Sequence, residues 1–148
     1  MKNFILHTLL LTTFLLSSCK DDEFQPQSAI RGEWELVKMG SSWTAEVQEG
    51  DEMAWTETYV FRSNNTFEKT RNSADGEFQA SGTFTWREAE MTDSSMARVY
   101  LTLTFQSGEE ILGSCTQDGN EELIITHQEE LRNTWGACDG PILHYRKK

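Results

Sequence analysis

The amino-acid sequence predicts an all-β domain, an eight-stranded antiparallel up-and-down barrel over residues 30–148. Apolar and polar residues alternate in short stretches at nearly regular spacing, which is typical of half-buried strands. Turn-forming pairs such as Asp75-Gly76 and Asp118-Gly119 separate these stretches. Because the connections are short, each strand is expected to pair with the next. Closure of the sheet into a barrel then leaves no exposed strand edge.

The alternation also places the individual strands. The clearest is 97–105, where Val99, Leu101 and Leu103 share the face expected to point inward. Gly82, in the middle of another stretch, predicts a bend or bulge. The remaining strands are predicted at 30–39, 55–62, 66–71, 78–87, 111–116, 122–127 and 141–146, with long loops at 40–54 and 128–140.

Residues 1–18 are predicted to be a signal peptide. Lys2 provides the positive start, an interrupted apolar run follows, and the stretch ends in the small residues Ser17-Ser18. The apolar run is shorter than the roughly 20 residues that a membrane-spanning helix needs. The leader is therefore expected to direct secretion and then to be removed.

The residue after this leader is Cys19, and Leu16-Ser17-Ser18-Cys19 resembles the lipobox of bacterial lipoproteins. The resemblance implies that the sulfur of Cys19 carries a diacylglycerol and that Cys19 becomes the first residue. The partner of the N-terminus would then be a membrane. The alternative is an ordinary signal peptide followed by an unrelated cysteine.

The next residues, Lys20-Asp21-Asp22-Glu23, resemble the export signal of surface lipoproteins in the Bacteroidetes. This resemblance implies an outer-membrane protein displayed on the cell surface. The alternative is a solvated acidic tether on a protein at the periplasmic face of the same membrane. In both cases residues 19–29 form the lipidated N-terminus and a short tether.

Composition and charge narrow the functional classes. The chain has a net charge of −11 at pH 7 and is expected to be repelled by nucleic acid phosphates. The two histidines beyond the leader, His127 and His144, lie in no recognisable catalytic motif, and no Gly-x-Ser-x-Gly is present. The sequence therefore predicts a protein that is not an enzyme and uses no cofactor.

Metal binding is not indicated either. The cysteines lack the paired spacing of a zinc site. The acidic loop residues Glu46, Glu49, Asp51 and Glu52 lack the spacing of a calcium loop, and a solvated acidic loop is the favoured interpretation. Cys115 and Cys138 remain as a pair in an oxidising compartment, so we predict a disulfide between them. The alternative is two buried free thiols.

The first predicted strand carries a second resemblance. Gly32-Glu33-Trp34 resembles the Gly-x-Trp signature of the lipocalins, and the Tyr59-Val60-Phe61 and Thr66-Phe67 hairpin is similar to that of short lipocalin-like lipoproteins in the Bacteroidetes. The resemblance implies that Trp34 plugs one end of the barrel and that Arg146, on the last strand, packs over it. An eight-stranded barrel is filled by side chains or holds one small ligand.

Two functional hypotheses follow from this interpretation. In the first, the barrel mouth holds a small apolar or amphipathic molecule, and Trp55, Tyr59 and Trp86 are the candidate lining residues because their rings carry a polar group. Plain core packing is the alternative for each of the three residues. In the second, the barrel is a scaffold whose acidic loop and Trp135 loop bind a protein or glycan at the cell surface. The sequence does not indicate which partner.

Overall fold

The structure is a computed structural model that describes residues 24–90, 96–115 and 118–148. The predicted leader, the lipidation site Cys19 and the export segment Lys20-Asp21-Asp22-Glu23 lie outside these residues. Within the described ranges, no helix is both long enough and apolar enough to cross a membrane.

The fold is an all-β barrel in which every strand pairing is antiparallel. The described residues form nine strands; eight of them pair in chain order, and pairing of the first strand with the last closes the sheet. The predicted fold class is confirmed, and the architecture is consistent with a lipocalin-like barrel. The barrel strands are β1 (Gly32–Gly40), β3 (Trp55–Phe61), β4 (Thr66–Ser73), β5 (Gly76–Glu88), β6 (Ala97–Ser107), β7 (Asn120–Thr126), β8 (Leu131–Asn133) and β9 (Ile142–Lys147). The extra strand β2 (Val47–Glu49) pairs only with the end of β1.

One of the eight predicted strands was wrong. The stretch predicted at 111–116 begins with the last residue of a single 3-10 turn, Glu109–Ile111, and then runs irregularly to Cys115. Gly108 adopts a left-handed conformation with φ of 74°, and this turns the chain away from the sheet. The eighth strand is instead β8, inside the stretch predicted as a loop, and it pairs with both β7 and β9.

The predicted tether also contains structure. Residues Pro26–Ile30 form a short helix, α1, and the first strand begins at Gly32. Proline is favoured in the first turn of a helix because it has no amide hydrogen to leave unpaired. Two further 3-10 turns, Gly50–Glu52 and Trp135–Cys138, lie in the predicted loops.

The bulge predicted at Gly82 is confirmed. The register between β5 and β6 shifts between Ser81 and Gly82. A Cβ atom at Gly82 would lie 2.1 Å from the carbonyl oxygen of Thr104, so only glycine allows the two strands to approach this closely.

The barrel has two different ends. The closed end carries α1, the start of β1 and the end of β9. The mouth, at the other end, carries the β1–β2 hairpin, the β4–β5 turn and residues 108–115. The side chains between the two ends form one core that includes Trp34, Tyr59, Phe67, Leu101, Leu103, Leu123 and Tyr145.

Candidate functional site

The closed end is held by Trp34 and Lys147. The buried indole of Trp34 donates through Nε1 to the carbonyl oxygen of Ile30 at 2.8 Å. The Lys147 ammonium donates to the carbonyl oxygens of Ser28 at 2.6 Å and Ala29 at 3.0 Å, and lies 5.6 Å from the centre of the Trp34 ring. Partial burial lowers the pKa of Lys147. Together these contacts dock α1 over the end of the barrel.

The cation over Trp34 was predicted to be Arg146, and this was wrong. Successive residues of a strand point to opposite faces, and Leu143 and Tyr145 on β9 point inward. Both Arg146 and Lys147 are exposed, but Lys147 lies on the same face of β9 as Leu143 and Tyr145, with its ammonium near the Trp34 ring, whereas Arg146 lies on the other face and pairs in register with exposed Glu35. Gly32, the other residue of the signature, has φ of 118°, which a glycine tolerates.

A buried charge cluster lies inside the barrel, towards the mouth. Its members come from four strands, of which only β3 and β4 are neighbours in sequence. All of them are fully buried except Arg71, whose side chain is 13% exposed. They are Glu57 and Tyr59 on β3, Lys69 and Arg71 on β4, Glu121 on β7 and Tyr145 on β9.

The Lys69 ammonium is the centre of this cluster. Its Nζ lies 3.0 Å from Oε2 of Glu121 and 3.4 Å from Oε1 of Glu57. Arg71 forms an ion pair with the other oxygen of Glu57. With two acids and two bases ionised, the cluster carries no net charge.

The two tyrosines complete the hydrogen bonding of the acids. Tyr59 Oη donates to Glu121 at 2.7 Å, and Tyr145 Oη donates to Glu57 at 2.6 Å. Burial raises the pKa of both phenols, so they remain neutral donors. Burial also raises the pKa of Glu121, while Lys69 and the Tyr59 hydrogen bond act in the opposite direction.

Residues 108–115, which we call the cap segment, lie over this cluster. The carbonyl oxygen of Ile111 accepts hydrogen bonds from Lys69 Nζ at 2.8 Å and from Arg71 Nη2 at 3.3 Å. Farther along, a Cβ atom at Gly113 would lie 3.0 Å from the ring of Trp135 and 3.3 Å from the carboxylate of Glu121. The cap segment therefore packs directly against the charged side chains.

The predicted disulfide between Cys115 and Cys138 is confirmed, with a Cα–Cα distance of 5.6 Å. It became possible because residues 111–115 do not form a strand. They cross the mouth instead, and the turn Trp135–Cys138 meets them there. The disulfide fastens the cap segment to the β8–β9 connection.

The three predicted lining residues do not meet in one pocket. Tyr59 is part of the buried charge cluster. Trp55 lies at the mouth, with its ring 4.6 Å from the Arg71 guanidinium carbon, and its buried Nε1 has no hydrogen-bond partner among the described atoms. Trp86 is half-buried on β5 beyond Phe84, towards the closed end. Their contact with a ligand stays a prediction.

Sequence reasoning missed Glu57, Lys69, Arg71 and Glu121. A signal was present for all four. Glu57 has the same parity in the sequence as Tyr59, Lys69 and Arg71 have that of Phe67, and Glu121 has that of Leu123 and Ile125. These positions placed a charged residue on the face predicted to point inward. No local pattern indicates that the two strands meet Glu121.

The two histidines of the described chain lie apart from the buried charge cluster. His127 is exposed, and half-buried His144 lies 3.4 Å from Glu130. Burial and the nearby charge of Arg132 lower the pKa of His144, and Glu130 opposes this. Across residues 24–90, 96–115 and 118–148, no three His, Cys, Asp or Glu side chains are grouped as metal ligands.

The fold and the site together define a class of protein, a closed antiparallel barrel of eight strands with a charged interior beneath a disulfide-linked cap. Comparison with protein-family models, curated proteins and solved structures finds no match.

Proposed function

We propose that this chain is an outer-membrane lipoprotein, anchored through a lipid on Cys19 and displayed on the cell surface. Its lipocalin-like barrel binds a small amphipathic molecule at the mouth. The resemblance of residues 16–19 to a lipobox and of residues 20–23 to a surface export signal supports the anchor and the location. The barrel supports the binding role.

The buried charge cluster carries the binding proposal. A buried ion pair is often no more stable than apolar side chains of the same volume, because removing charges from water costs several kcal/mol. This barrel nevertheless keeps four ionisable groups beneath the cap segment. Partly buried apolar residues pack beside the core in the same half, namely Met53, Trp55, Phe78 and Leu112. A molecule with one polar group and an apolar body matches this arrangement.

In the closed structure the cluster is internally paired, and Ile111 supplies its remaining acceptor. A ligand that reaches Lys69 must therefore replace the Ile111 carbonyl and displace the cap segment. The proposal thus requires that the cap opens. It also requires that the polar group of the ligand accepts hydrogen bonds.

Native mass spectrometry of the lipidated protein from its own host tests this function. We expect a bound small molecule in the wild type and its loss in Lys69→Met, which removes the ammonium that would donate to the polar group of the ligand. The matched control is Lys38→Met, because Lys38 is partly exposed and pairs with Glu49 outside the cluster. A protein that carries no small molecule, even after its disulfide has been opened, contradicts the proposal.

A second function is favoured by a different observation. Trp43 is 72% exposed and Val47 is 47% exposed, both in the β1–β2 hairpin at the mouth. Exposed large apolar side chains often mark interaction sites. In this alternative the barrel is a scaffold and the hairpin contacts a protein or glycan at the cell surface.

A pull-down from the host envelope with Trp43→Ala separates the two functions. Thr44→Ala, at the neighbouring exposed position, is the control. Loss of a partner with the first variant alone supports the scaffold function. Identical partners for both variants and the wild type count against it.

A further inference from the structure

We infer that the barrel stands on its closed end, with that face docked on a phosphate-bearing membrane surface and the mouth directed away from it. The inference rests on the lipid anchor proposed above. It adds the interaction surface, its partner and the orientation of the binding site.

The tether that joins the lipidated Cys19 to the barrel is short. Phe24 lies at the closed end, where the Arg98 guanidinium carbon is 3.4 Å from the centre of its ring. The next residues enter α1, which Trp34 and Lys147 hold on the barrel. From Cys19 to Phe24 the chain spans at most about 18 Å. A lipid on Cys19 therefore keeps the closed end near the membrane.

The mouth cannot reach the membrane equally well. Strand β6 contains 11 residues and runs from the closed end to the mouth. At about 3.3 Å per residue and a tilt of about 40°, the two ends lie about 25 Å apart along the barrel axis. Laying the mouth on the membrane would require the tether to span the length of the barrel.

The two ends of the barrel differ in their charged residues. Basic and acidic residues occur together around the closed end, where Lys148 pairs with Glu33 and Arg62 with Glu68. The described loops of the mouth contain exposed acids and no lysine or arginine. The basic residues of the closed end are Arg31, Arg62, Arg87, Arg98, Arg146, Lys147 and Lys148, and its acidic residues are Glu33, Glu35, Glu68, Glu88, Glu90, Glu129 and Glu130, so the described charges of this end balance. The exposed acids of the mouth are Glu46, Glu49, Asp51, Glu52, Asp75, Glu77, Glu109, Glu110, Asp118 and Asp139.

This distribution favours a single orientation at an anionic surface. Charges separated by much more than about 8 Å are screened at physiological salt. A surface therefore acts only on the end of the barrel that lies against it. The closed end, whose described charges balance, is not repelled by lipid phosphates, whereas a tilted barrel would bring the acidic mouth towards them and be repelled. A cleft of about 300 Å³ beside Phe24, Trp34 and Ile125 opens at the docked end.

Two spin labels at opposite ends of β4 test the orientation. Ser63→Cys lies in the β3–β4 turn at the closed end, and Ala74→Cys lies in the β4–β5 turn at the mouth; both positions are exposed. Each full-length lipidated variant is placed in vesicles of phosphatidylcholine with phosphatidylglycerol that carry a paramagnetic chelate on their head groups. We expect relaxation of the label at position 63 to be enhanced several-fold more than that at position 74.

A variant that lacks three acids of the mouth tests whether charge contributes to the orientation. Replacing Glu49, Asp51 and Glu52 by their amides is expected to increase relaxation of the label at position 74 in the anionic vesicles. In vesicles of phosphatidylcholine alone it should change little. Equal relaxation of both labels in protein that remains attached overturns the orientation. Protein that washes off the vesicles at high salt overturns the lipid anchor, and the orientation with it.

Discussion

At the scale of single residues, Lys69 is the side chain on which the interior depends most. Its ammonium separates the carboxylates of Glu57 and Glu121, which are buried with it. Removal of one partner from a buried ion pair leaves an uncompensated charge in a poorly polarisable interior. That loss typically costs about 3–5 kcal/mol.

Lys69→Met is therefore expected to lower the free energy of unfolding by about 3–5 kcal/mol in urea denaturation. Lys38→Met is the control, because Lys38 is partly exposed and lies 3.9 Å from exposed Glu49. Exposed pairs of this kind contribute about 0–1 kcal/mol. Equal losses for the two variants would show that the charges around Lys69 are not the reason for the effect.

Glu121 adds a pH dependence. Burial raises its pKa above the ordinary value of 4.5, so the folded protein binds this proton more tightly than the unfolded chain. Its contribution to stability is fully present below pH 4.5 and is lost as pH rises through the raised pKa. Urea denaturation from pH 4.5 upward measures how the free energy of unfolding changes with pH, and Glu121→Gln should remove the contribution of Glu121 to that change. An unchanged pH dependence in the variant would contradict the raised pKa of Glu121.

The residue scale also shows where sequence reasoning stops. Alternation predicts which residues point inward, and it correctly grouped Tyr59 with Phe61. It does not predict that charged residues share that face, because a charge is expected inside only when a partner is near. The partners of Lys69 are 12 and 52 residues away along the chain, so only the closed barrel brings them together.

At the scale of elements, the cap segment depends on its disulfide. Cys115 and Cys138 are separated by 23 positions, for which the chain-entropy model gives about 3 kcal/mol. Cys138→Ser is expected to lose about this much stability in thermal denaturation. Hydrogen exchange of the Ile111 and Leu112 amides, which bond within the cap segment, should rise. Unchanged exchange there would mean that the cap segment is held by its packing alone.

The closed end offers a second test on adjacent residues of β9. Lys147→Met removes the two hydrogen bonds to α1 and is expected to lower stability by about 1–2 kcal/mol. Arg146→Met should have an effect below about 0.5 kcal/mol, because its side chain is exposed and lies on the opposite face of β9 from Lys147. Thermal denaturation and hydrogen exchange of the Arg31 amide measure the effects of the two substitutions. A larger effect of Arg146→Met would contradict the placement of Lys147 over Trp34.

The elements themselves were largely predictable. Strands such as β6 combine long alternation with flanking turns, so pattern and structure agree. The strand prediction for 111–116 failed because Ile111 and Gly113 are buried at alternate positions of the irregular cap segment, which imitates the alternation of a strand. Strand β8 has only three residues, and a stretch that short shows almost no period. Its place is determined by the strands on either side.

At the scale of the whole molecule, basic and acidic residues are unevenly distributed between the two ends of the barrel. Most exposed basic residues lie at one end and the mouth is acidic, although the sequence reports only a net charge of −11. Composition alone predicts that anionic partners are disfavoured in general. Only the topology shows that the mouth is the end that repels anionic partners.

The pairing of β1 with β9 determines when the barrel can close during folding. It places Trp34 in register with Lys147, residues 113 positions apart. Pairings between such distant segments form slowly, because the intervening chain must first be ordered. During synthesis, β1 has no permanent neighbour on that side until the last strand has emerged. The barrel therefore cannot close before β9 has been made, and a protein truncated before Ile142 is expected to remain open and prone to aggregation.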